Sequence, residues 1–150
     1  MKLEPAKFRT LVRALVESLS PEDAATLVGI SRLAVDADST EDDDELVSYD
    51  VVADELCAMG GLDVAVVERN EALKNRGPDD RAQRMLSYSA ALSAPPVKEL
   101  AYACANLLTL ADLAIQPSES QFLGDLQAAL DIDDTREAAV AALVNEAVRE

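Results

Sequence analysis

Phe8, Leu11, Val12, Leu15, Val16 and Leu19 follow the i, i+3, i+4, i+7 interval that lines one side of a helix with apolar side chains. Comparable stripes recur along almost the whole chain, and the period-2 alternation of a half-buried strand is absent. Breaks come where helix termini favour them, since Pro suits a first helical position and Gly suits the left-handed residue that ends a helix. Ser20, Pro21 and Asp23 read as cap, first position and capping acid; Gly60 and Gly61 end a helix; Gly77 and Pro78 separate the next pair of helices. Asp134 and Glu137 carry the cap-to-third-position spacing of a capping box. The pattern predicts helices over residues 4–19, 21–37, 43–59, 63–76, 79–93, 96–112, 117–130 and 134–149. With connections this short, the expectation is an all-α fold: a single domain over 1–150, built as a compact array of about eight helices.

Within this array one short pattern occurs twice at the same spacing. Leu33, Ala37, Asp38, Glu45 and Leu56 match Leu107, Ala111, Asp112, Glu119 and Leu130, 74 residues further on. Tyr49 and Val52 correspond to Leu123 and Leu126, so the same core face follows each Glu. Two pseudo-equivalent halves follow, with an internal duplication around residues 30–56 and 104–130. Each Asp and Glu falls where one helix ends and the next begins.

Composition narrows the functional classes. Aromatic residues make up 3% of the chain against 49% apolar residues overall, which suits an Ala/Leu/Val-packed helical interior better than a β-rich one. Twenty-nine acids against 13 bases leave a net charge of -16, which repels nucleic acid and anionic membranes and points to cations or basic proteins as partners. No apolar run approaches the ~18 residues of a spanning helix, so direct membrane insertion is not expected and any membrane association comes through a partner. Cys57 and Cys104 form neither a CxxC motif nor a disulfide framework and the chain opens without a leader, which suits a cytoplasmic setting. From Asp36 to Glu55 there are acids and no base. Arg69, Lys74, Arg76, Arg81 and Arg84 gather between the halves, as a solvated helix face or as a docking patch for an acidic partner.

The acids from Asp36 to Glu45 do not make an EF-hand. Counting from Asp36, Glu41 stands where the tight turn needs Gly, and Val47 stands where a bidentate Glu closes the site. In the simplest reading these acids form a solvated loop whose charges sit favourably at the start of the following helix, and Glu119 behind Pro117 answers the helix dipole and caps free backbone N–H groups, worth about 0.3 to 1 kcal/mol. In the functional reading Asp38, Glu45, Asp112 and Glu119 converge on one hard cation. Oxygen-only donors suit calcium or magnesium, and four clustered carboxylates require such a cation, protons or basic partners. Catalysis is not expected. A chain with no histidine lacks the commonest general base and the His ligands of di-iron bundles, and neither a phosphate loop nor a nucleophile elbow is present. Cys57 and Cys104 read as buried packing groups, and Tyr49, Tyr88 and Tyr102 as core-edge residues.

The run Ala111, Asp112, Ile115, Pro117, Glu119, Phe122, Leu123, Leu126, Leu130 and Ile132 resembles the tellurite-resistance TerB-like family. The N-terminal half matches through Leu33, Ala37, Asp38 and Glu45, and together the halves span most of the chain. The resemblance implies an all-helical fold with two related halves and an acidic centre open to metal, at Asp38, Glu45, Asp112 and Glu119. It also implies a non-enzymatic module of bacterial stress response, acting with a protein partner that in some members is membrane-associated. Where the family has Gly directly after the Asp, this chain has Ser39 and Leu113. The residues alone also support two other readings. One is an acidic adaptor that occupies a basic protein surface or imitates nucleic acid through the carboxylates of 36–55. The other is an acidic protein adapted to a salty cytoplasm.

Overall fold

A helix can begin only where its first free N–H groups find acceptors, and in this chain side chains supply several of them. The computed structural model describes residues 3–36, 43–74, 81–110 and 117–148. These form α1 (Pro5–Leu15), α2 (Pro21–Asp36), α3 (Asp43–Gly60), α4 (Val64–Lys74), α5 (Arg81–Ala91), α6 (Pro95–Leu110), α7 (Pro117–Ala129) and α8 (Asp134–Val148), with no strand among the described residues. The fold is all-α. Ser20 caps α2 as its sequence predicts, its Oγ accepting the Asp23 N–H at 3.1 Å. The Gly77–Pro78 break lies outside the described residues.

Two details depart from the sequence expectation. First, α1 stops at Leu15 rather than near residue 19, and Val16 is extended at φ -136, ψ 150. Ser20 precedes a proline and is steered away from helical backbone, so the chain must turn earlier. The non-helical link over 16–20 makes that turn and still buries Val16 and Leu19. Second, the cap of α8 is Asp133 and not Asp134. Its Oδ1 accepts the Arg136 N–H at 2.7 Å, while its carbonyl accepts the Glu137 N–H at 2.8 Å.

The end of α7 sets this register. Ile132 N–H donates to Gln127 O, and Asp131 N–H to Ala128 O, both at 3.1 Å, with Asp131 left-handed at φ 57. These paired bonds satisfy carbonyls that the helix leaves free. Asp tolerates that backbone better than most side chains, so the turn forms without glycine. The end of α3 repeats it: Leu62 N–H donates to Cys57 O at 2.8 Å and Gly61 N–H to Ala58 O at 3.4 Å, with Gly61 at φ 69. Asp63 then caps α4 through its Oδ1 and the Ala65 N–H at 2.9 Å.

α2 and α6 form the centre. α2 packs on α3, α5 and α6, and α6 also receives α1, α7 and α8. Along α6 every residue from Leu100 to Thr109 except Asn106 is buried. Ala37 and Ala111 of the repeated pattern lie outside the described residues, and its other apolar members lie in this core: Leu33, Leu56, Leu107 and Leu130 are at most 2% exposed, Tyr49, Val52 and Leu126 are buried, and Leu123 packs against them. Burying each such leucine contributes roughly 1.5 to 3 kcal/mol.

α3 approaches α2 closely where it ends. A Cβ on Gly60 would lie 2.6 Å from the Ala24 Cβ, an atom fixed by its own backbone. The Gly60→Ala variant should therefore lose about 1 to 3 kcal/mol in urea unfolding followed by circular dichroism. An unchanged midpoint would mean that α2 and α3 do not meet there.

Candidate functional site

The two predicted corners follow helices of equal length: α2 and α6 have 16 residues each. Residues 37–42 separate α2 from α3, and 111–116 separate α6 from α7. Asp38 and Asp112 lie outside the described residues. Glu45 and Glu119 are each the third residue of their helix, in α3 and α7, and their side chains are likewise outside the described set. Among the described residues, no group of three or more His, Cys, Asp or Glu side chains could hold a metal ion.

α2 packs on α6, and Ser31 of α2 lies beside Cys104 of α6. From these residues the helices continue to Asp36 and Leu110, roughly 7.5 and 9 Å at 1.5 Å per residue. Cys104 is wholly buried, and burial pushes its thiol up to about 12 despite the opposing effect of the Ser31 hydroxyl. Burial first, and then Asp54, Glu68 and Asp63, also raise the Cys57 thiol. Neither cysteine presents a thiolate near neutral pH, which agrees with their reading as packing groups.

A second acidic region emerges where α3 meets α4. Asp50 and Asp54 lie one turn apart on the exposed side of α3, and the exposed Asp63 and Glu68 belong to α4 and its cap. Partial desolvation, followed by the charges of Asp50 and Asp54, raises the Glu68 carboxyl, while Arg32 opposes the rise. The Arg32 guanidinium also lies 5.6 Å from the centre of the Tyr49 ring. The i, i+4 pair Asp50 and Asp54 was visible in sequence as a piece of the acidic stretch. Its proximity to Glu68 requires the α3–α4 turn. Of the connector bases, Arg69 is exposed, whereas Arg84 is half-buried and donates to the Tyr88 hydroxyl at 3.1 Å. The side chains of Lys74 and Arg81, and Arg76 entirely, fall outside the described residues.

α8 is fastened to α6 by polar contacts. The Tyr102 hydroxyl donates to Glu137 Oε1 at 3.0 Å, and Arg136 pairs with Glu99. Burial, and then Glu137, raises the Tyr102 phenol well above its ordinary value. Beside α8, Leu11, Ala14, Leu143 and Ala147 line a shallow apolar groove against α1, about 160 Å³ in volume. No helix among the described residues is long and apolar enough to cross a membrane. Comparison with protein-family models, with curated proteins and with solved structures gives no match.

Two outcomes follow from these charges. A carboxyl whose folded pKa is raised favours the fold more as pH falls through its titration, so at neutral pH Glu68 opposes folding. Glu68→Gln should accordingly melt above the parent in low salt at pH 7, and the gap should narrow near 1 M salt, where the Debye length of about 3 Å screens Asp50 and Asp54 but leaves the desolvation. Tyr102 and Cys104 are neutral in the fold with raised pKa values. Their contribution is complete below the ordinary values of about 10 and 8.5 and is lost as pH climbs past them. Urea midpoints should thus decline from about pH 9 upward, and Tyr102→Phe should flatten the portion of the decline above pH 10.

Proposed function

We propose that the chain is a non-enzymatic TerB-like module of bacterial stress response, acting in the cytoplasm with a protein partner. Its two acidic corners hold one divalent cation, calcium or magnesium, through Asp38, Glu45, Asp112 and Glu119. The observation that carries this reading is the meeting of α2 and α6 at Ser31 and Cys104, so that both helices run only a short way from a shared contact to their corners. Further support comes from the equal placing of Glu45 and Glu119 as third residues of the helices that follow. There an acid also gains from the positive helix terminus. An all-oxygen donor set matches a hard cation, and the cation would offset the mutual repulsion of the four carboxylates. The non-enzymatic character rests on the absence of histidine and on two cysteines whose thiols are raised by burial.

Calcium and magnesium titrations by calorimetry and thermal melting test the cation. A saturable heat and a raised melting temperature are expected for the parent, with about 2.7 kcal/mol of added stability at a hundredfold excess over Kd. Asp38→Asn and Asp112→Asn should each weaken both signals. A parent that shows neither heat nor shift removes the cation from the proposal.

The exposed acids Asp50, Asp54, Asp63 and Glu68 favour a second reading, in which the chain is an acidic adaptor for a basic protein surface without any metal. Under this reading a lysine-rich probe peptide binds in low salt and is released steeply as ionic strength rises, because exposed charges are screened beyond the Debye length. Asp50→Asn with Asp54→Asn should weaken that binding. Peptide binding indifferent to salt would reject the adaptor.

A further inference from the structure

We draw no further inference here: the strongest candidate, the apolar groove between α1 and α8 lined by Leu11, Ala14, Leu143 and Ala147, carries nothing because nothing in the structure shows what covers it.

Discussion

The packing of α2 against α6 at the centre is the constraint from which the other contacts follow. A helix enclosed on nearly all sides has no face to give to water, so its sequence is restricted to apolar and small side chains and to polar groups that find partners nearby. α6 meets this with Ala101, Ala103, Cys104 and Ala105, interleaved with Leu100, Leu107 and Leu108. Its buried Thr109 donates to Asn106 O at 2.8 Å, and Ser31 of α2 donates to Leu27 O at 2.8 Å. Gly29, in the middle of α2, brings the same requirement to α5, because the Tyr88 ring occupies the space a Cβ would need, 2.7 Å from its position. With the two central helices in place, α3 packs on α2, and α8 packs on α6.

This interior must hold together a chain whose net charge is -16. The ion pairs within it give limited help. Arg9 with Glu55 at 3.7 Å and Arg136 with Glu99 both involve arginines about half exposed, and such pairs contribute little in water. The repulsion is felt where acids from two helices meet, at Glu68 beside Asp50 and Asp54, and it extends to the thiol of Cys57. Stability therefore resides in the burial of the Leu, Val and Ala faces. Among the described residues no acid is buried, and water or helix dipoles accommodate these charges.

That division bears on function. A core of this kind leaves few reactive groups inside, and the polar chemistry collects at helix ends and on the α3–α4 surface. In the two readings proposed above, cation binding at the corners or attachment of a basic partner offsets this charge. They differ in where the opposite charge enters: between the carboxylates of 36–45 and 111–119, or across Asp50, Asp54, Asp63 and Glu68.

Local signals in the sequence determined the elements themselves. Helical periodicity is a property of neighbouring residues, and Pro21, Gly61 and Ser20 act on backbone within a turn of themselves, so the helices could be placed closely from sequence alone. The burial of Leu33, Leu56, Leu107 and Leu130 was legible for the same reason, since one apolar face per helix has to point inward. Tertiary structure decided where α1 stops, because the link over 16–20 must turn the chain and still bury Val16 and Leu19. It also decided that Asp133 caps α8, because the left-handed turn at Asp131 sets the register first. Only the packed chain brought Ser31 to Cys104 and Glu68 to Asp50 and Asp54. Such contacts join residues distant in sequence, and their electrostatics depend on separation and burial, which exist only once the helices have packed.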